Sequence, residues 1–446
     1  MAENQPRHGD FMYPRHLTNR LLEASEDTPV ILLLGARQTG KSTLLKSFAG
    51  DCIPDLHMAN LDDMTTLAAL RSSPQGYLRN IPGPLFIDEI QRAPEIFVVL
   101  KQLVDEHRTP GKFFLTGSAN VLMLPKLSDS LAGRMEIHYL WPLSQGELRG
   151  TQERFIEKAF SQESFGKTST LSQRELIEMI TRGGYPEALK RQSPHRRKSW
   201  FDSYLTTILQ RDVKELSSIE GITALPSLLS LLATRIGGLL NTAELTRSIG
   251  IPNSTLKRYL SLLQGVFLTV FLPPWAKNKG KSLTKAPKVY LNDTGLTCAL
   301  IGIDAHVLEK DRTLFGKLFE SFVFMELMKQ SAWNVPDTKL YHYRTHEGQE
   351  VDILLESADG RCVGIEIKSA SHVTNENFKG LRAFQENHPL YKGIVLYTGT
   401  EIVYFADNLM ALPVSVLWEN WPLSLTHQAN SSLADAEGFT LKIPPL

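Results

Sequence analysis

Short apolar runs separated by helical or polar segments dominate the first 150 residues. The runs at 30–34, 85–87, 113–115 and 137–140 have the length and composition of buried strands. The segments between them have a helical pattern, above all between 42 and 84. Strands that alternate with helices are typical of a doubly wound fold. The pattern therefore predicts an α/β domain built on a parallel sheet.

The first apolar run leads directly into a complete P-loop pattern at 35–42 (Gly-Ala-Arg-Gln-Thr-Gly-Lys-Ser). Its two glycines allow a tight turn in which successive N–H groups point at phosphate oxygens. Lys41 would reach the β- and γ-phosphates of ATP, and Ser42 would hold Mg²⁺ at the start of a helix. The alternative is a plain glycine turn at a strand end. The predicted nucleotide-binding residues are Gly35, Gln38, Thr39, Gly40, Lys41, Ser42 and Thr43.

The second strand ends in two acids, Asp88 and Glu89. Because the carboxyl ends of parallel strands meet at one edge of the sheet, both acids are expected near the P-loop. Asp88 would then contribute to the Mg²⁺ site, and Glu89 would orient the attacking water. Taken alone, the pair could also be the charged turn that ends a strand.

Two further polar residues follow the next strands. Ser118, with Asn120 as a second candidate, is predicted to sense the γ-phosphate, although strand ends also carry such residues simply as turns. Arg134 follows a glycine and could act as an arginine finger on the nucleotide of a neighbouring subunit. Its alternative is a surface ion pair. The finger interpretation predicts a homo-oligomer.

These motifs together resemble those of one family, the prokaryotic AAA+ ATPases whose C-terminal half is a restriction-endonuclease-like domain of uncertain function. The resemblance covers most of the chain, from about residue 13 to residue 413. It implies an ATPase core with a helical lid. Hydrolysis that uses Arg134 of the next subunit would imply a ring, such as a hexamer, or another oligomer. The segments that carry it are 33–42, 85–91, 115–118 and 131–134, with 183–187 and 209–213 as lid signatures.

We predict four parts along the chain. Residues 1–150 form the AAA+ core, 151–222 a helical lid, 223–275 a winged helix-turn-helix, and 276–446 an α/β restriction-endonuclease-like domain. Two local clusters are basic: one spans 190–198, and the other comprises Lys277, Lys279, Lys281, Lys285 and Lys288. Either cluster could contact a phosphate backbone or could simply be solvated.

The winged helix is predicted from its capping and turn residues. Asn241 would cap one helix, and a turn at 250–253 would lead into a recognition helix at 254–263. Strands near 266–268 and 270–272 would form the wing. Ser254, Lys257 and Arg258 would face a DNA groove, unless the module docks a protein instead.

The C-terminal part contains a hairpin with acids on both strands. If Glu356 pairs with Cys362 across the loop, Asp352 lies opposite Glu366. Strand alternation places Val351 on the other face, with the apolar residues that form the core.

Two like charges in opposed positions repel, and a bound Mg²⁺ would explain their placement. Lys368 would then lie near the attacking water or the scissile phosphate, and Glu320 would complete the metal ligands from the preceding helix. The set Glu320, Asp352, Glu366 and Lys368 resembles a PD-(D/E)XK nuclease site, with Val351 where a proline usually stands. The alternative is a surface hairpin in which Lys368 offsets the acids, an interaction of little energy.

Composition narrows the function classes. Lys and Arg number 48, as do Asp and Glu, so no overall field attracts nucleic acid or membrane. The three cysteines (Cys52, Cys298, Cys362) are widely spaced, which suits a reducing compartment. The N-terminus has no apolar signal region, and no run approaches 18 apolar residues. We therefore expect a cytoplasmic protein.

Two functions are consistent with these patterns. The first is an ATP-driven machine on DNA, in remodelling, repair or defence, whose C-terminal domain cuts or grips the duplex. The second is a signalling or scaffold ATPase in which the nucleotide switches an oligomer and the C-terminal domains bind proteins.

Overall fold

A computed structural model gives the fold of most of the chain. Within that part, no helix is both long and apolar enough to cross a membrane. Three lysines of the predicted basic loop, Lys279, Lys281 and Lys285, lie outside the residues that the structure describes. The structure describes residues 13–53, 55–120, 131–213, 222–277, 286–334, 337–345 and 347–421.

The first part is a parallel sheet flanked by helices. Across the described residues its strand order is β2-β3-β4-β1-β5, and every pairing is parallel. The strands are β1 (Val30–Leu34), β2 (His57–Asn60), β3 (Leu85–Asp88), β4 (Phe113–Gly117) and β5 (Met135–Tyr139). The helices are α1 (Thr18–Asp27), α2 (Lys41–Cys52), α3 (Met64–Ser72), α4 (Pro74–Arg79) and α5 (Ile96–Glu106). The α/β prediction for this part is confirmed.

Strand β1, which lies between β4 and β5, shows why this sheet is buried on both faces. Val30, Leu32 and Leu34 belong to one apolar cluster, whereas Ile31 and Leu33 belong to a second cluster. Adjacent strand residues point to opposite faces, so an uninterrupted apolar run fits only a strand that is covered on both sides. The polar residues of the P-loop therefore lie at the carboxyl end of this strand, beyond its buried residues.

A helical region follows the sheet. Its α-helices are α6 (Gln145–Arg149), α7 (Phe155–Phe160), α8 (Gln173–Arg182), α9 (Pro186–Leu189) and α10 (Pro194–Thr207), and α10 continues as a π-helix (Ile208–Asp212). The double glycine at 183–184 allows close packing. A Cβ on Gly183 would lie 2.2 Å from Asp293 Oδ1, and the Gly184 amide donates to Asp293 Oδ2 at 2.6 Å. This signature therefore has a packing role in the fold.

Three helices and a hairpin come next. They are α11 (Leu225–Ala233), α12 (Thr242–Ile249), α13 (Asn253–Gly265), β6 (Thr269–Leu272) and β7 (Lys288–Leu291). Asn241 caps α12 through the Glu244 amide, as predicted. The predicted pairing of 266–268 with 270–272 is wrong, because β6 pairs antiparallel with β7 instead. The hairpin therefore crosses the predicted boundary at residue 275.

The C-terminal part is a mixed sheet between helices. Over the described residues the strand order is β12-β13-β11-β10-β9-β8. Its strands are β8 (Thr338–Arg344), β9 (Glu350–Ser357), β10 (Cys362–Lys368), β11 (Lys392–Tyr397), β12 (Val403–Ala406) and β13 (Leu409–Pro413). Its helices are α14 (Thr294–Ile301), α15 (Ala305–Lys310), α16 (Arg312–Ser331) and α17 (Lys379–Asn387).

Both faces of this second sheet are buried. Ile353 packs in the cluster that includes residues of α16, whereas Leu354 packs in the cluster that includes residues of α17. Val351 also joins the second cluster, so its predicted face is wrong. The register between β8 and β9 shifts in this region. Such a bulge adds one residue and moves the side chains beyond it to the other face.

Candidate functional site

The P-loop connects the end of β1 to the start of α2. A Cβ on Gly35 would lie 2.2 Å from the Leu140 carbonyl oxygen, and Gly40 has φ +95°, so both positions require glycine. Lys41 is buried and donates at 3.0 Å to the carbonyl oxygens of Gly35 and Ala36. Burial lowers the pKa of Lys41 to about 8, although the charges of Glu89 and Asp88 oppose that shift.

Ser42 and Asp88 meet beside this lysine, as the sequence predicted. The Ser42 hydroxyl donates to Asp88 Oδ1 at 2.9 Å. The hydroxyl of Thr116, on β4, also donates to that oxygen. One hydroxyl and one carboxylate at a helix N-terminus are the ligand types that a nucleotide-bound Mg²⁺ uses, so the residues fit this ion. Thr116 was not predicted, although it lies directly before the predicted Gly117–Ser118 turn.

Glu89 is held by two side chains. Its φ of +60° is unusual for a non-glycine residue. Ser118 donates to Glu89 Oε2 at 2.9 Å, and the Gln91 amide donates to the same oxygen. Gln91 also donates to Ser118 at 2.9 Å. Ser118 therefore contacts Glu89, and Gln91, which no motif had indicated as functional, completes a three-residue cluster.

Two arginines tie the P-loop to other elements. Arg15 donates to the Thr39 carbonyl oxygen at 2.7 Å and to Glu147 at 2.9 Å. Arg37 donates to Asp212 Oδ2, at the end of the π-helix, at 3.0 Å. The sequence contained Arg37 within the motif but offered no local signal for Arg15.

The remaining predicted residues of the core lie away from this centre or at its periphery. Thr43, on α2, is exposed. The Asn120 amide donates to the Gly265 carbonyl oxygen at 2.7 Å, which links the end of β4 to α13. Arg134 lies next to the amino end of β1, because its carbonyl oxygen accepts from the Val30 amide. It pairs with Asp105. Arg134 is thus at the edge of the sheet opposite the P-loop of the same chain.

The predicted hairpin register in the C-terminal part is confirmed. Glu356 pairs with Cys362 and Ile353 with Ile365. The Ile367 amide donates to Asp352 Oδ2 at 2.9 Å. The two strands therefore bring Asp352 beside the end of β10, close to Glu366.

A lysine outside the predicted set lies among these acids. Lys288 Nζ is 2.8 Å from Glu320 Oε1 and 3.5 Å from Asp352 Oδ1. Tyr290 donates to the same Glu320 oxygen at 2.7 Å. Lys288 is 5% exposed, so its predicted place in a solvated basic loop is wrong. Burial acts to lower the pKa of Lys288, but the charges of Glu320 and Asp352 outweigh it and raise the pKa.

Glu366 has a different partner. Lys368 Nζ donates to Glu366 Oε2 at 2.8 Å, whereas Glu366 Oε1 is buried without a hydrogen-bond partner. Burial and the charge of Asp352 raise the pKa of Glu366 to about 8, although Lys368 and Lys288 act in the opposite direction. We call Glu320, Asp352, Glu366, Lys288 and Lys368 the acid cluster.

The acid cluster does not have the form of a ready metal site. Within the described ranges, no three His, Cys, Asp or Glu side chains are grouped so that they could hold a metal ion. Of the predicted ligands, Glu320 and Asp352 are separated by Lys288, and Glu366 is paired with Lys368.

Family models match three segments of the chain. An AAA domain matches residues 27–149. Two domains of unknown function follow, DUF8612 at residues 173–307 and DUF4143 at residues 315–417. Together with the geometry of the P-loop, the first match makes the protein a P-loop ATPase of the AAA type. The DUF4143 segment contains three predicted acids and Lys368, whereas Lys288 lies in the DUF8612 segment.

The uncharacterized protein Rv2008c of Mycobacterium tuberculosis is 32% identical over 402 residues, which cover 90% of this chain and 83% of that protein. The chain belongs to its family. The uncharacterized protein Mb2031c of Mycobacterium bovis matches to the same extent. The uncharacterized protein MJ1544 of Methanocaldococcus jannaschii is 25% identical over 344 residues, covering 73% of this chain and 71% of that protein.

Similar solved structures include one chain from Pyrococcus abyssi and one from Thermotoga maritima. The Walker-type ATPase PABY2304 of Pyrococcus abyssi aligns over 65% of this chain and 96% of its own, with 14% identity and a TM-score of 0.41. The RuvB Holliday junction branch migration motor of Thermotoga maritima aligns over 58% of this chain and 90% of its own, with 20% identity and a TM-score of 0.27.

Proposed function

We propose that this protein hydrolyses ATP to drive a machine that acts on DNA. The observation that carries the ATPase part is the convergence of Lys41, Ser42, Asp88 and Glu89 at one edge of the sheet. We assign their roles from their positions. Lys41 and the P-loop amides bind the phosphates, and Ser42 and Asp88 hold Mg²⁺, which neutralises phosphate charge. Glu89 orients the attacking water.

The hydrogen bonds around Glu89 support a positioning role for Ser118. Its hydroxyl, together with the Gln91 amide, fixes one carboxylate oxygen of Glu89. The other carboxylate oxygen remains available to accept a proton or a hydrogen bond from water. We assign Ser118 to the orientation of Glu89, in addition to the γ-phosphate sensing expected from the sequence.

The DNA part of the proposal rests on the segment from α11 to β7. Two helices joined by a tight turn and followed by an antiparallel hairpin are the components of a winged helix. On α13, Ser254, Lys257 and Arg258 are exposed, whereas Leu256 and Tyr259 are buried. The cationic side chains of this helix are therefore available to a phosphate backbone or a groove.

We also propose an oligomer in which Arg134 acts on the nucleotide of the next subunit. Its location at the sheet edge opposite its own P-loop means that it can serve only another copy of the chain. The ion pair with Asp105 would have to open on assembly.

The deciding experiment measures the ATPase rate of the full chain in Mg²⁺ with no DNA and with duplex, single-stranded and four-way-junction DNA, together with binding at several salt concentrations. We expect one DNA form to stimulate hydrolysis and the affinity to fall steeply with salt, because phosphate contacts release counterions. Substituting Lys257→Glu and Arg258→Glu should weaken that affinity and reduce the salt slope.

The control is Arg174→Glu, which makes a comparable charge reversal on the exposed face of α8. It should leave DNA affinity unchanged. If no DNA form changes the ATPase rate and none binds at low salt, the DNA proposal is overturned and the ATPase proposal is unaffected. That result would favour the protein-binding switch. Scoring the same DNA for nicks tests cleavage separately.

A further inference from the structure

We propose that Lys288 is an internal cation that takes the place of a divalent metal ion between Glu320 and Asp352, and so closes the acid cluster to metal. Its ammonium group lies 2.8 Å from one carboxylate and 3.5 Å from the other. It holds the two acids together as a metal ion would. Unlike a metal ion, it offers no coordination position for water or for a phosphate oxygen.

Burial makes this arrangement specific. The Lys288 side chain is 6% exposed and the Asp352 side chain 11%, so neither charge is shared with solvent to any large extent. Removing one partner from such a pair leaves a buried charge without compensation, which is costly. The cluster thus needs a cation at this position, and the chain supplies one itself.

One carboxyl oxygen of the cluster, Glu366 Oε1, is buried and has no hydrogen-bond partner. Lys368 neutralises Glu366 through Oε2, and the Ile367 amide satisfies Asp352 Oδ2. Two ammonium groups therefore face three carboxylates. Removal of the Lys288 charge would leave three acids against one lysine, and Glu320 and Asp352 could then move together around a divalent cation.

The cation comes from outside the C-terminal sheet. Lys288 begins β7, whose partner strand β6 follows α13, and the preceding Pro287 accepts from the Leu240 amide. Gly237, in the same unit, lies against the acids: a Cβ there would be 3.2 Å from Glu320 Oε1. The β6–β7 hairpin, next to the proposed DNA-binding helices, therefore supplies the cation that occupies the acid cluster. This inference holds whether or not the substrate is DNA.

The test is a Mn²⁺ titration of the nucleotide-free full chain, followed by electron paramagnetic resonance of free Mn²⁺. The wild type should show no site that Asp352→Asn removes. Lys288→Met keeps the length of the side chain without its charge, and it should create a Mn²⁺ site. The double variant Lys288→Met/Asp352→Asn should lose that site again. Lys288→Met should also melt at a lower temperature than the wild type, and Mn²⁺ should restore the loss.

Two results would overturn the inference. One is a Mn²⁺ site in the wild type that Asp352→Asn abolishes, since the lysine would then not exclude metal. This comparison needs no Lys288 variant and stands even if Lys288→Met does not fold. The other is a folded Lys288→Met or Lys288→Gln protein that binds no Mn²⁺, because the acids would then not form a metal site once the lysine charge is gone.

Discussion

At the scale of single residues, the nucleotide site shows how side chains on different strands divide the work. Asp88 and Glu89 are adjacent in sequence, yet they have separate partners. Asp88 accepts from Ser42, whereas Glu89 turns away through a left-handed backbone conformation and accepts from Ser118. The strained conformation at Glu89 is the local feature that separates the two carboxylates.

Glu89→Gln tests the water-orienting role. The amide keeps the size of the side chain but cannot act as a base, so hydrolysis should fall by roughly 100- to 10,000-fold. ATP affinity should change little, because Glu89 is not assigned to the phosphates. Steady-state hydrolysis and fluorescent-nucleotide binding measure the two effects. Equal losses in binding and turnover would contradict the assignment, and Lys41→Ala, which should lose binding, is the comparison.

His138 on β5 should make stability depend on acid pH. Burial and then the charge of Arg20 lower its pKa to about 4 from the usual 6.5. Nε2 lies 3.2 Å from Glu136, but that acid is half exposed and does not offset the burial. As pH falls below 6.5, His138 is therefore protonated in the unfolded chain before it is protonated in the folded protein.

The contribution of His138 to the free energy of unfolding is full above pH 6.5. It falls progressively between pH 6.5 and pH 4, by about 3 kcal/mol at most. His138→Gln should flatten the dependence of the urea midpoint on pH over this window. His195→Gln, at an exposed position, is the control and should leave the dependence as it is. Parallel curves for His138→Gln and the wild type would refute the role.

At the scale of elements, the π-helix at Ile208–Asp212 is what connects the helical region to the nucleotide site. It carries Asp212, which is 1% exposed and accepts from Arg37. Arg211, beside it, donates to Asp62 at 3.0 Å on the far side of β3. One short element thus contacts both the P-loop and the loop after β2. π-Helical turns often occur at functional positions, and this one orients two neighbouring side chains toward different parts of the core.

Asp212→Ala should destabilise the protein by about 3 kcal/mol, because it leaves a largely buried guanidinium without its carboxylate. A double-mutant cycle with Arg37→Met and Asp212→Leu isolates the pair from its surroundings. We expect a coupling free energy of about 1–3 kcal/mol in urea unfolding. Additive effects of the two substitutions would mean that this pair does not hold the helical region against the P-loop.

At the scale of the whole molecule, a series of hydrogen bonds connects the P-loop to the β6–β7 hairpin. Tyr204 donates to the Arg37 carbonyl oxygen at 3.2 Å, and its hydroxyl lies 3.0 Å from that of Tyr185. Asn292, directly after β7, donates to Tyr185 at 2.7 Å. Because β7 begins with Lys288, the nucleotide site and the acid cluster are joined through one continuous set of buried contacts.

Tyr185→Phe tests the centre of that series. It should cost about 1–3 kcal/mol of stability, since the Asn292 amide and the Tyr204 hydroxyl would be left without their buried partner. Differential scanning calorimetry measures the loss, and Tyr404→Phe, at an exposed tyrosine, is the matched control. A loss no larger than that of the control would show that the series is not structurally significant.

Much of the molecule follows from local pattern. The P-loop, the acidic strand end and the hairpin around residue 360 are short-range features, in which residue type and spacing alone restrict the backbone. The register of β9 with β10 was predictable because a tight turn and strand alternation leave few choices. The predicted wing was wrong because residues 273–287 separate β6 from its partner β7, and no local pattern identified that partner.

The sequence by itself thus determined the nucleotide chemistry and the acids of the second cluster, since those depend on residues close together in the chain. Only the tertiary structure decided which cations from distant parts of the chain contact these sites. Lys288 is 64 residues from Asp352, and Arg15 is 24 residues from Thr39. Such contacts arise where separate elements pack, and their energy comes from burial and geometry. Neither quantity is encoded in a local run of residues.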